Sequence, residues 1–355
     1  MAFQTIKNVK IVGVAATVPN YVEENSTLNL FQSNHDYRKF VESTGVARRH
    51  IAPDDVCASD LCLKSAEVLL DELCWKKEEI DCLIFVSHSP DYRYPATACI
   101  LQSRLGLSNG CMSFDISLGC SGWVYGLSVA GSLLSSGNFK KALLLVGDVT
   151  SRSKSPEDKS TFPLFGDSGS ATAIVYDDGA NGFLTHMGTD GNKYDTILIE
   201  DGGSRNPATL QSFEKKEYAP GIVRNRLQTG MNGMSVFSFG ISRAPKSVRA
   251  LLQYFKLNQE EIDYFLFHQA NLMMNKKIQQ KLNLPDEKVP YALKNFGNTS
   301  SGSIPLTMVS EIQEVINRSA DSPLKMIACG FGVGLSWGSV YFELNETICC
   351  NLITY

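Results

Sequence analysis

The sequence predicts an α/β protein assembled from two related halves that share one layered core. Short, continuous apolar runs, of the kind found in strands covered on both faces, alternate with segments whose apolar residues recur at helical spacing. In addition, Lys64–Phe85 realigns without a gap on Lys246–Phe267, at an offset of 182, with nine identities in 22 positions.

Taken in order, Lys10–Val14, Cys82–Val86, Met112–Ser117 and Ala142–Val146 read as buried strands. Ser59–Cys74 and Trp123–Ser136 have helical spacing, the second stopped by Gly137. In the second half Tyr264–Phe267 reads as a strand, Leu306–Ile316 as a helix and the alternating Leu335–Leu344 as another strand. Each copy of the repeat is one amphipathic helix, an acidic turn and one apolar strand. Matched polar residues, Glu78, Glu79 and Asp81 against Glu260, Glu261 and Asp263, favour duplication over coincidence. The two repeat strands then end at equivalent places, near His88 and at His268. Residues 1–180 are expected to form the N-terminal half, 231–355 the C-terminal half, and 181–230 a connecting or cap region. Within it, Gly188–Gly230 is polar and weakly periodic, either a cap over a pocket or a plain surface excursion.

The 355 residues are 43% hydrophobic and 20% charged, which excludes disordered, collagen-like and coiled-coil classes. A net charge of −4 gives no bulk attraction to nucleic acid or to an anionic membrane. The apolar runs fall far short of the roughly 20 residues that cross a bilayer. Met1–Val14 has no basic start, long apolar middle or small-residue cleavage site. A cytoplasmic protein whose ten cysteines are thiols is the expectation. No cysteines and histidines stand at zinc-ligand spacing, so no metal is expected. Cys62, Cys74, Cys82, Cys99 and Cys329 lie in apolar, periodic surroundings and are assigned to the core, whereas Cys349 and Cys350 have no readable role.

Cys120 stands apart. In Asp115–Trp123 a strand runs into a Gly-Cys-Ser-Gly corner and then a helix, placing Cys120 at a helix N-terminus where free N–H groups and the dipole favour a thiolate. Its own N–H is a candidate oxyanion donor. The alternative is a buried thiol at a tight corner. His268 follows the Tyr264–Phe267 strand, the usual place for site residues in α/β folds, although a strand-end histidine is often only structural. Asn298 lies in a polar loop, Asn295–Pro305, that enters a helix, and reads as a site residue, a turn residue or a cap. Nucleophilic Cys, strand-end His and loop Asn form a possible acyl-transfer set. Two decoys carry little weight. Gly330-Phe-Gly-Val-Gly334 precedes a strand rather than the helix a dinucleotide site needs, and Gly166-Asp-Ser168-Gly lacks the protease contexts for His and Asp.

The Cys120 corner, His268-Gln-Ala-Asn271, Gly297-Asn298-Thr-Ser and Gly332-Val-Gly334-Leu-Ser-Trp337-Gly338-Ser together resemble β-ketoacyl-acyl-carrier-protein synthase III; so do Ser43-Thr-Gly-Val and Phe165-Gly-Asp167. The match runs in order from about residue 8 to 345. It implies a thiolase-like fold, two duplicated halves in a five-layered αβαβα core, normally a homodimer. Asn298 marks the Cys-His-Asn branch, which starts chains or builds specialised ketides. The resemblance implies that Cys120 takes an acyl group from acyl-CoA or a related thioester, and that His268 and Asn298 assist decarboxylative Claisen condensation with malonyl-ACP. Oxyanion N–H groups would come from Cys120 and Val333, with no cofactor. Phe165, Gly233 and Asn271 match substrate-binding positions, and Tyr94 one that crosses the dimer interface to the partner's acyl pocket. Lys39 and Ser43 replace the usual adenine-gripping pair, and Met273 an arginine implicated in carrier docking; Lys276, Lys277 and Lys281 are left as a patch for an acidic acyl carrier protein, or as a solvated helix face. The alternatives are an acyltransferase that forms an ester, amide or ketide without decarboxylation, and a non-catalytic partner subunit.

Overall fold

The computed structural model describes residues 2–319 and 322–355. Two sheets organise it. The first runs in the order Ile348–Cys349, Val9–Val18, Ser168–Tyr176, Lys141–Asp148, Cys82–Val86 and Met112–Ile116, with Ile353–Thr354 also paired to Val9–Val18. The second runs Ala2–Ile6, Phe183–Thr189, Ser336–Leu344, Leu324–Gly332 and Tyr264–Phe267.

The wiring of the two sheets is the same. Cys82–Val86 is parallel to Lys141–Asp148, which is antiparallel to Ser168–Tyr176, and that strand to Val9–Val18. Tyr264–Phe267 is likewise parallel to Leu324–Gly332, followed by antiparallel Ser336–Leu344 and Phe183–Thr189. Both copies of the repeat thus put their strand at the same place in a sheet. Their helices, Ala58–Glu72 and Gly233–Phe255, cover the two outer faces through separate apolar clusters.

Between the sheets lie Gly122–Leu134 and Ser303–Glu311, packed in a single apolar cluster drawn from both halves. The order is helix, sheet, helix, sheet, helix, the five-layered αβαβα arrangement the resemblance implies. A helix between two sheets must be apolar all round, and Gly122–Leu134 buries nine of its 13 residues. It also approaches closely: a Cβ on Gly126 would stand 2.6 Å from Leu144 Cδ1.

Four expectations are corrected. Residues 181–230 are not a separate connection, because Phe183–Thr189 is an interior strand of the second sheet. The halves also interlock at their ends: Ala2–Ile6 crosses to the second sheet and Ile348–Cys349 to the first, each satisfying an edge that would otherwise expose unpaired backbone groups. The expected helix Leu306–Ile316 is two, Ser303–Glu311 and Gln313–Asn317, broken at Ile312, where φ is −132° and ψ 16°. Cys74 and Cys99 are exposed. Cys74 takes a positive φ just past its helix, and Cys99 sits off the Ala98–Leu101–Leu105 stripe that faces the core.

Candidate active site

Cys120 lies between the end of Met112–Ile116 and the start of Gly122–Leu134, and is 8% exposed. It packs against Gly330 and Gly332 at the end of Leu324–Gly332, where only glycine leaves room: a Cβ on Gly332 would stand 2.8 Å from Cys120 Sγ. The N–H groups of Val333 and of Cys120 itself and the Ser300 hydroxyl lie near enough to the sulfur to favour its anion. Cys120 and Val333, the two residues expected to supply oxyanion donors, both line the cavity beside the thiol. The expected thiolate, however, is not the resting state. Burial, reinforced by the Asp148 carboxylate, pushes the Cys120 thiol up to about 11 despite these donors.

His268 leaves its strand with its N–H bonded to the Cys329 carbonyl at 2.9 Å. Its ring Nδ1 is 2.8 Å from Ser303 Oγ, at the start of the central helix Ser303–Glu311. The side chain is buried, and burial pushes its pKa down to about 3, since the opposing Ser300 carbonyl is too weak to compensate. The imidazole is neutral at physiological pH and suited to hydrogen bonding rather than to permanent charge.

Asn298 is held at both ends. Its backbone N–H donates to Leu164 and its carbonyl accepts from Gly166, at 2.9 and 3.2 Å. Its side-chain oxygen accepts from Ser300 N at 2.9 Å, and its amide nitrogen is 3.4 Å from the Ala270 carbonyl. The turn reading of the sequence is correct for the oxygen, while the amide nitrogen makes only a long contact.

Cys120, His268, Asn298 and Val333 line one cavity of about 650 Å³, and Phe165, Gly233 and Asn271 line it too. Asn271 doubles as an N-cap, accepting from Met274 N at 2.8 Å. A Cβ on Gly233 would meet nothing within 4 Å, so this wall is open. Ile197, Leu198, Leu227 and Thr229, from the polar segment after Gly188, also face the cavity, the cap alternative of the sequence. Tyr94 is not on the lining; it is 85% exposed. Lys276, Lys277 and Lys281 lie on Leu272–Leu282, away from the lining. Lys276 is paired with Asp286 at 2.8 Å and Lys281 donates to the Ile241 carbonyl, so Lys277 is the freest of the three.

Three polar residues of the cavity lining escaped the sequence reading. Asp148, fully buried at the end of its strand, accepts from Ser87 Oγ, His88 N and Ser301 Oγ at 2.9, 2.7 and 2.6 Å, tying the first half's strand ends to the Asn298 loop. Its strand-end position was the available signal. Ser300, next to the thiol, was inside a recognised motif. Lys154, in a polar stretch without periodicity, gave no signal.

Fold and site together define an acyltransferase of the thiolase-like condensing enzymes. The chain belongs to the 3-oxoacyl-[acyl-carrier-protein] synthase III family: residues 114–191 match the model described as 3-Oxoacyl-[acyl-carrier-protein (ACP)] synthase III, and 252–344 match that of its C-terminal part. It is 32% identical over 338 residues to the beta-ketoacyl-[acyl-carrier-protein] synthase III of Lactococcus lactis, covering 94% of this chain and 99% of that one. Identity to the enzyme of that name from Clostridium perfringens is 31% over 341 residues, 96% of this chain and 100% of the other. The crystal structure of a 3-oxoacyl-(acyl-carrier protein) synthase from Burkholderia xenovorans superposes with a TM-score of 0.92 at 35% identity, covering 100% and 99% of the two chains. Among the described residues no helix is long and apolar enough to cross a membrane.

Proposed function

We propose that the chain catalyses acyl transfer from acyl-CoA, or a related thioester, to Cys120, followed by decarboxylative Claisen condensation with a malonyl thioester on an acyl carrier protein. The observation that carries this reading is that one cavity is lined by the Cys120 thiol, Val333, the neutral His268 ring and Asn298. In the first step the sulfur of Cys120 attacks the thioester carbonyl, the new S–C bond forms, the carrier C–S bond breaks, and the Cys120 proton ends on the departing thiol. The tetrahedral oxyanion sits against the N–H groups of Cys120 and Val333. In the second step the malonyl group loses carbon dioxide. Its electron pair becomes an enolate whose oxygen is stabilised by His268 and Asn298; the enolate carbon attacks the acyl carbonyl on Cys120, the new C–C bond forms, the Cys120 S–C bond breaks, and the departing thiolate takes a proton from water to restore the thiol. No step calls on a metal or cofactor.

Homodimerisation fits an 85%-exposed Tyr94 beside a 63%-exposed Tyr92, large aromatic surface of the kind buried at subunit contacts. Lys277 on the Leu272–Leu282 helix is the first candidate for meeting an acidic carrier. The test incubates purified protein with an acyl-CoA panel and then malonyl carrier, following carbon dioxide and ketide. Both products in step with one another support the reading. An acyl adduct that passes to an alcohol or amine without carbon dioxide favours plain acyl transfer, and no turnover of any thioester favours a non-catalytic subunit.

A further inference from the structure

Lys154 is a cation buried in this cavity for which the proposed condensation has no use. It is 6% exposed and lines the cavity wall together with Thr150, Ser153 and Thr229. Its Nζ donates to Ser153 Oγ at 2.8 Å and to Thr229 Oγ1 at 3.0 Å, both neutral oxygens. No carboxylate of the described residues pairs with it within 4.0 Å; Asp148, Asp167 and Asp158 act on it only from farther away. An ammonium has three donors, so one is left over, in a chamber otherwise walled largely by apolar groups. Burying such a charge without a direct ion pair is costly, and a ligand carboxylate in the cavity would take up the spare donor.

The position identifies which ligand. Nζ stands 4.4 Å from the centroid of the Phe165 ring, and Phe165 is the cavity residue whose backbone bridges Asn298. Lys154 therefore faces the cavity beside the Phe165 ring, where an unsubstituted alkyl starter would leave its spare donor without an acceptor. The extender's carboxylate is the other anion available. An ammonium that gripped it would stabilise the malonyl ground state and oppose loss of carbon dioxide, so the reaction disfavours that assignment.

Resting on the acyl-transfer reading above, we propose that the starter is an ω-carboxyacyl thioester, its far carboxylate bound by Lys154 with Ser153 and Thr229 completing the subsite. The step at sulfur is unchanged: the Cys120 S–C bond forms, the CoA C–S bond breaks and the proton goes to the CoA thiol.

The test compares rates of Cys120 adduct formation, by mass spectrometry, for length-matched pairs: succinyl-CoA with butyryl-CoA and glutaryl-CoA with pentanoyl-CoA. In the wild type at least one carboxylated member outpaces its partner by about tenfold or more, as a charge-assisted hydrogen bond to a desolvated group allows. In Lys154→Met and Lys154→Gln that ratio falls by about tenfold or more. Because the readout is a ratio within one protein sample, partial misfolding does not imitate it. A wild type that prefers butyryl- and pentanoyl-CoA overturns the inference, as does a ratio unchanged in both variants. A change confined to the apparent affinity for malonyl carrier also overturns it and assigns Lys154 to the extender. If no thioester of either kind acylates Cys120, it is the acyl-transfer reading itself that fails.

Discussion

Replacing Gly332 with alanine should cripple acylation by overlapping the nucleophile by more than half an ångström. Gly332 ends the Leu324–Gly332 strand with no positive φ, so its backbone accepts an L side chain and the whole effect is steric. The new Cβ would lie 2.6 Å from Cys120 Cβ and 2.8 Å from Sγ, whereas ordinary contact begins at 3.4 Å. The nucleophile or the strand must therefore give way by about 0.6–0.8 Å, and both are locked in a buried layer. Overpacking of this kind costs about 1–3 kcal/mol of stability. Displacing a nucleophile by about 1 Å relative to its oxyanion donors costs on the order of 100-fold in rate. The assay pairs a thermal melt with the rate at which the Cys120 peptide gains acyl mass. A modest loss of stability with a loss of about 100-fold in acylation is expected. A variant that melts and acylates within twofold of the wild type would show that the close packing of Gly332 on Cys120 is not what positions the sulfur.

Removing either enolate donor, by His268→Ala or Asn298→Ala, should lower malonyl decarboxylation by about 100-fold or more, and farther than it lowers acylation; equal losses in both half-reactions would remove the proposed division of labour. Because burial raises the Cys120 thiol to about 11, its thiolate fraction climbs through the whole neutral and mildly alkaline range, so alkylation by iodoacetamide should rise about tenfold per pH unit from 7 to 10. A slope that breaks near pH 8.5–9 would instead place the thiol near its ordinary value. Asp148→Ala strips the acceptor from Ser87, from the His88 N–H and from Ser301, leaving buried donors unpaired across both halves, and should cost about 3–5 kcal/mol in denaturant unfolding. A cost below about 1 kcal/mol would mean that water replaces the carboxylate.

The parts of the fold legible in the sequence are those set by local pattern. The strand Cys82–Val86 and the repeat copy ending in Tyr264–Phe267 showed as apolar runs because both faces of each sheet are covered, and the shared wiring of the sheets bears out the duplication. What stayed hidden depends on pairing over long distances. Nothing local tells Ala2–Ile6 to join the second sheet, or Ile348–Cys349 the first; edges left open elsewhere decide it. The helix near Ile312 breaks although its apolar spacing is continuous, and Cys99 faces outward although its neighbours are apolar, because burial follows the particular face presented to the core. At the site, Cys120, His268 and Asn298 were readable as strand-end and loop residues of the right chemistry, and all three reach one cavity. The charge state of the thiol was not readable, since the dipole favouring ionisation is local whereas the burial opposing it is assembled from both halves. Lys154 was invisible for the same reason: its meaning lies in the neutral oxygens that hold it and in the lack of a carboxylate within ion-pair distance.

The central claim is that Cys120 carries the acyl group between two half-reactions, and the most direct measurement is a single-turnover experiment read by peptide mass. Enzyme mixed with acyl-CoA alone should show one acyl mass on the peptide containing Cys120 and free CoA in equal amount; malonyl carrier added next should clear that mass while releasing one carbon dioxide per adduct. An acyl group on another residue, ketide formation by Cys120→Ala at the wild-type rate, or carbon dioxide released without loss of the adduct would contradict the account.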